Sequence, residues 1–189
     1  MALDVERPEA GAEAGNPRRA EVSRSEEVRD FYERMPYPAP LADLDAHRDL
    51  YKNPNRRRVE FHLIWPARQP RGDQEILIAG CGTSQAARYA LREPDARVTA
   101  IDVSDASLRR TRDLQRKYNL ENLELHRLSI ERVREIGRSF DLVVCTGVLH
   151  HLPDPDYGLR ALRDVLRPSG AMRLMVYARY GRADRKSVV

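Results

Sequence analysis

The chain has only two cysteines in 189 residues, Cys81 and Cys145, and neither belongs to a Cys-x-x-Cys pair. A disulfide framework and a thiolate metal site are therefore not expected, and a reducing, cytoplasmic setting is. Aromatic residues are scarce at 6%, with one tryptophan, which argues against an all-β sandwich. No apolar run reaches the roughly 18 residues that a membrane-spanning helix needs. Residues 1–20 hold no hydrophobic h-region, so no secretory signal is expected. Charge of one sign is also missing: 33 basic residues face 29 acidic ones, a net +4. That balance describes an Arg-rich solvated surface more than a dedicated nucleic-acid face.

What is present falls into four stretches. Residues 1–23 are rich in Ala, Glu, Gly, Pro and Arg and read as a disordered tail. Residues 24–72 read as a helical, proline-rich flap. In it, Ser25 caps a short helix with Glu26 and Glu27 in its first turn and Val28 and Phe31 on one face. Alternate prolines over Met35–Pro40 then impose an extended loop. A second helix is expected from Asn55 to Trp65, with Val59, His62 and Leu63 on one face.

From residue 73 to 178 strands and helices alternate. Apolar runs predict strands at Ile76–Ala79, Arg97–Asp102, Leu123–His126, Phe140–Thr146 and Ala171–Tyr177. Helices are expected over Ser84–Leu91, after a Ser104 cap, and after Asp154–Pro155, where Leu159, Leu162, Val165 and Leu166 form the buried stripe. Pro168–Ser169–Gly170 reads as the turn into the fifth strand. Such alternation implies an α/β fold with a doubly wound, mainly parallel sheet. The last residues, 179–189, have no apolar period and read as non-native sequence.

Two motifs point to a ligand. Ala79-Gly80-Cys81-Gly82-Thr83-Ser84 lies between the first strand and the next helix. Glycines there let the backbone approach a ligand, and the helix behind offers free N–H groups. A plain tight turn is the alternative. Asp102 ends the second strand, 20 residues after Gly82, where a carboxylate can accept from both hydroxyls of a ribose. A helix-capping role is the alternative. A dinucleotide fingerprint would place a third glycine at position 85, which is Gln. NAD is therefore not expected, and a single adenosine with a short tail fits better; nor is a metal, since no Cys/His cluster has ligand spacing.

A third motif, Cys145-Thr146-Gly147-Val148-Leu149-His150-His151-Leu152, follows the fourth strand. Together with Ile-Leu-Ile-Ala-Gly-Cys-Gly-Thr, Val-Thr-Ala-Ile-Asp-Val-Ser and Leu-Arg-Pro-Ser-Gly, it makes residues 73–177 resemble the class I S-adenosylmethionine-dependent methyltransferases. The resemblance implies a Rossmann-like methyltransferase fold that binds S-adenosylmethionine. It places Gly80, Cys81, Gly82 and Thr83 along the methionine tail and ribose, Asp102 on the ribose hydroxyls and Val103 against the adenine. Ser129 and Ile130 stand beside the adenine, and Thr146 and Gly147 near the sulfonium. The family's usual acid two positions before the first glycine is Ile78 here, its third glycine is Ser84, and its adenine-side Asp is Ser129.

His150 or His151 is a candidate general base; the alternative is that the pair only shapes its loop. Phe31, Tyr32, Tyr37 and Arg56 could build an acceptor pocket, or the segment could merely cover the sheet. The acceptor itself is not named by the sequence. The rival readings are a catalytically silent S-adenosylmethionine-binding module and, third, a nucleic-acid binder acting through the N-terminal arginines. Because the family fold usually continues past the fifth strand, the chain is expected to be a C-terminally truncated fragment. In that case the edge next to Leu174 and Val176 is exposed to self-association.

Overall fold

A computed structural model of the protein describes residues 30, 33–35, 38–67 and 73–177. The expected tail, the Ser25-capped turn, the Phe31–Tyr32 and Tyr37 aromatics and residues 178–189 lie outside the described residues. Five strands form one wholly parallel sheet: β1 (Glu75–Ala79), β2 (Arg97–Asp102), β3 (Leu123–Arg127), β4 (Phe140–Thr146) and β5 (Leu166–Met175). Their order is β3-β2-β1-β4-β5. The chain winds outward from β1 to β3, then crosses back to place β4 on the other flank of β1.

Burial follows from the two-residue strand period. Ile76 and Ile78 of β1 enter one core with Val98, Ala100, Leu142 and Val144. Leu77 and Ala79 enter the other with Ile101, Val143 and Cys145. The first core is covered by α3 (Gln85–Arg92) and α4 (Asp105–Lys117), the second by a 3₁₀ segment (Ile130–Ile136) and α5 (Pro155–Asp164). Covering both faces is what a continuous apolar strand such as β1 requires. Caps expected from the sequence form: Ser104 Oγ accepts from Ser107 N–H at 3.1 Å, and Asp154 Oδ1 from Tyr157 N–H at 2.8 Å.

The flap adds α1 (Asp45–Tyr51) and α2 (Pro54–Ile64) to the first face. Its anchors are specific. Leu44 is fully buried, and its N–H donates to the hydroxyl of Tyr118, the residue that ends α4, at 2.6 Å. Arg92, on α3, reaches Glu60 of α2 at 2.6 Å and stacks over the Tyr89 ring.

Three expectations are corrected. Val59 and Leu63 of α2 are 60% and 78% exposed; Phe61 and Ile64 meet the core instead, together with Trp65. The apolar residues that matter cluster at the C-terminal end of this helix, so it docks by its end and not along a stripe. In α5 Leu162 and, just after it, Val165 are buried as expected, but Gly158 and Ala161 complete the stripe; Leu159 is 37% exposed and Leu166 already belongs to β5. Pro168–Gly170 does not precede the fifth strand but interrupts it. Phe140 faces Leu166 and Leu142 faces Ala171, so two steps of β4 span five of β5. The Arg167–Asp141 ion pair at 2.6 Å anchors this bulge, and a Cβ on Gly170 would lie 2.9 Å from the Asp141 carbonyl. Proline has no ladder donor and is tolerated at such an irregularity.

Candidate functional site

The crossing of the chain over β1 leaves a crevice at the carboxyl ends of the strands, where open α/β sheets hold their ligands. Its floor is the loop after β1. Gly80 and Gly82 have φ of +71° and +57°, a region open to glycine at no steric cost. A Cβ on Gly80 would lie 2.4 Å from Val148 Cγ2, so the loops after β1 and β4 touch through a missing side chain. Gly80 N–H and Cys81 N–H donate to the Ile101 carbonyl at 2.9 and 3.1 Å. The buried Thr111 hydroxyl of α4 donates to the Gly82 carbonyl at 3.0 Å. Backbone and side-chain bonds thus hold the loop from two sides.

Asp102 closes the next wall. Its Oδ2 accepts from Gly82 N–H at 2.8 Å and its Oδ1 from Ser104 N–H at 2.9 Å. Burial pushes its carboxyl above the ordinary value, opposed by those backbone N–H donors. Each oxygen has a further lone pair, so the group can still accept from a ligand.

The crevice encloses about 350 Å³. Asp102, Val103, Ser129 and Ile130 line it on the β2–β3 side, and Thr146, Gly147, Val148 and Tyr177 on the β4–β5 side. Among the described residues, no group of three or more His, Cys, Asp or Glu is placed to hold a metal.

A family model for the methyltransferase domain matches residues 77–172, half of the chain and all of this architecture from β1 into β5. The chain belongs to the methyltransferase domain family. An uncharacterized protein of Synechococcus sp. is 42% identical over 115 residues, 60% of this chain and 28% of that protein. The ubiquinone biosynthesis O-methyltransferase of Albidiferax ferrireducens is 32% identical over 131 residues, 68% of this chain and 50% of its own. The chain therefore spans half or less of the length of these relatives. The crystal structure of the [4+2]-cyclase SpnF superposes with a TM-score of 0.53 at 23% identity, over 62% of this chain and 44% of that one. At that identity the likeness is one of fold.

The methyltransferase domain gathers most of the expected residues at one crevice: Gly80, Cys81 and Gly82 from the first loop, Asp102 and Val103 from the second, Ser129 and Ile130 from the third, and Thr146 and Gly147 from the fourth. One expectation is corrected. Thr83 is fully buried and does not line the crevice; its hydroxyl donates to the Pro38 carbonyl of the flap at 2.8 Å. The loop turns there to start α3, which swings that side chain away. Of the two histidine candidates, His150 is outside the lining, packed against the Tyr177 ring at 4.7 Å between centroids. Its neighbour His151 is the one that lines the crevice. Burial, and then the charge of His150, holds the His151 imidazole below its ordinary value.

Cys81 contributes backbone to the loop while its side chain is buried in the first core, where burial pushes the thiol well up. Cys145 is pushed up to about 12 by burial. Neither is a nucleophile at neutral pH. Sequence reasoning missed Gln85, Arg88 and Glu131, which also line the crevice. The signal for the first two was their i, i+3 spacing behind the Ser84 cap; Glu131 stands two residues after Ser129, in the place already suspected.

Proposed function

We propose that this domain binds S-adenosylmethionine across the carboxyl ends of β1, β2 and β4, and that the protein of which it is part transfers the cofactor's methyl group to an acceptor. The observation that carries the reading is Asp102, fixed by two backbone N–H groups beside a loop whose glycines leave no side chain in the way. A carboxylate with two free lone-pair directions suits a vicinal diol. Val103 and Ile130 offer apolar surface to a flat purine. An acceptor for a diol, clearance over the loop and apolar surface together support a ligand built of an adenosine with a short tail.

The bound sulfonium supplies an already activated methyl and a neutral leaving group. What remains for the protein is to orient the acceptor and keep water out. Thr146 and Gly147, between His151 and Tyr177, form the wall where an acceptor would be held. His151, held neutral by burial, is suited to take a proton from an acceptor hydroxyl. Membership of the methyltransferase family supports transfer over silent binding, and 32% identity to an O-methyltransferase supports an oxygen acceptor.

The test is calorimetric. Asp102→Ala should weaken S-adenosylhomocysteine binding about tenfold or more, since a charge-assisted hydrogen bond contributes roughly 1.5–3 kcal/mol. Affinity in the native protein should fall on acidification, starting at a higher pH than an ordinary aspartate would give, because burial raises this carboxyl. Unchanged binding in the variant refutes the site. A radiolabelled-methyl screen across protein, nucleic-acid and small-molecule fractions then separates transfer from silent binding.

A further inference from the structure

The crevice has two acidic side chains, Asp102 and Glu131, and an imidazole kept neutral by burial. Among the described residues that line it, Arg88 brings the one permanent positive charge. Arg88 sits on α3, one turn after the glycine loop and three residues after Gln85, so both project from the same face of the helix into the crevice. Its Nε is buried and finds no hydrogen-bond partner among the described residues. A buried guanidinium donor without an acceptor carries a desolvation cost of roughly 1–3 kcal/mol, which a native fold seldom keeps without use. The flap's His47 is held below its ordinary value first by burial and next by the Arg88 charge.

We propose that Arg88 receives the carboxylate of the cofactor's amino-acid tail, with the Gln85 amide beside it. The inference rests on the S-adenosylmethionine reading above. With adenosine fixed by Asp102 and Val103 on the β2–β3 side, the tail runs over the glycine loop, and the first turn of α3 follows that loop in the chain. Of the cofactor's charged groups, sulfonium, ammonium and carboxylate, only the carboxylate is attracted to a cation. A planar guanidinium also matches a carboxylate fork in a way that a lysine does not. The position two residues before Gly80, where the family places an acid, is Ile78, fully buried in the first core. It cannot compete for the tail by holding the ammonium. In this chain the tail is gripped from its anionic end.

The experiment compares two ligands by isothermal titration: S-adenosylhomocysteine, and S-adenosyl-3-thiopropylamine, which keeps the amine and lacks only the carboxylate. The native chain should prefer S-adenosylhomocysteine by roughly tenfold or more. Arg88→Ala should abolish that preference, weakening S-adenosylhomocysteine and leaving the decarboxylated ligand unchanged. Arg88→Lys should restore part of it, and thermal melts of both variants check that they fold. If Arg88→Ala weakens both ligands equally, or neither, Arg88 does not bind the carboxylate while the cofactor reading stands. If the native chain binds neither ligand, the cofactor reading falls and this inference with it.

Discussion

Gly80 shows how much of a site can depend on an absent atom. Its φ of +71° already disfavours any side chain, and a Cβ there would lie 2.4 Å from Val148. Gly80→Ala should destabilise the domain by about 1–3 kcal/mol and weaken S-adenosylhomocysteine binding, because the loops after β1 and β4 must part. A variant with native melting temperature and affinity would show the contact to be slack. His151 carries a pH prediction. Its imidazole titrates below the ordinary value of 6.5, so it is neutral at pH 7 and above. With His151 as base, the transfer rate should be flat from pH 7 upward and fall only below about 6.5. His151→Asn should cost about a hundredfold or more. A profile that still rises through neutral pH, with an active variant, assigns the histidine to loop shape. At this scale the sequence was legible where backbone chemistry decides: the glycines, Asp102 and the caps at Ser104 and Asp154 stand where spacing places them. It was opaque for Thr83 and His150, because which of two adjacent side chains faces a crevice depends on the exit angle of a loop.

Elements were read with the same asymmetry. β4 matches its expected bounds, and β1, β2 and β3 fall within a residue of theirs, because a strand buried on both faces is an uninterrupted apolar run. The 3₁₀ segment Ile130–Ile136 and the helix Asp45–Tyr51 had no such signature; the latter buries none of its own residues. Tertiary anchors hold the flap where propensity does not. The Glu60 carboxylate lies 2.6 Å from Arg92, whose side chain is 8% exposed and also meets Glu93 at 2.8 Å. Glu60→Ala leaves that guanidinium with one carboxylate partner, Glu93, beside the Tyr89 ring, and about 2 kcal/mol of stability should be lost. The change should release the C-terminal end of α2, where Trp65, the single tryptophan, stacks against Phe61 at 4.9 Å. A red shift of tryptophan emission in folded Glu60→Ala protein reports that release; an unshifted spectrum means Leu44 and Phe61 hold the flap by packing alone.

For the molecule as a whole, the flap and the sheet are parts of one packing unit. Lys117 Nζ donates to the Ala42 carbonyl at 3.1 Å, and Glu33 accepts from Asp105 N–H and Ala106 N–H at the start of α4. The crevice therefore has a wall, Pro38, supplied by chain that precedes the sheet by some tens of residues. Periodicity along 73–177 could announce the sheet but not that wall, since a loop of alternate prolines has no period to read. The strand order carries a last consequence, for the nascent chain. β1 is the central strand, and its second neighbour is encoded far downstream: Ile76 pairs with Leu142, 66 residues later. At about 5–20 residues per second of synthesis, the middle of the sheet waits roughly 3–13 s on the ribosome with one edge bare. For those seconds the edge of β1 that will meet β4 stays open, and translation speed between codons 76 and 142 sets how long it does so.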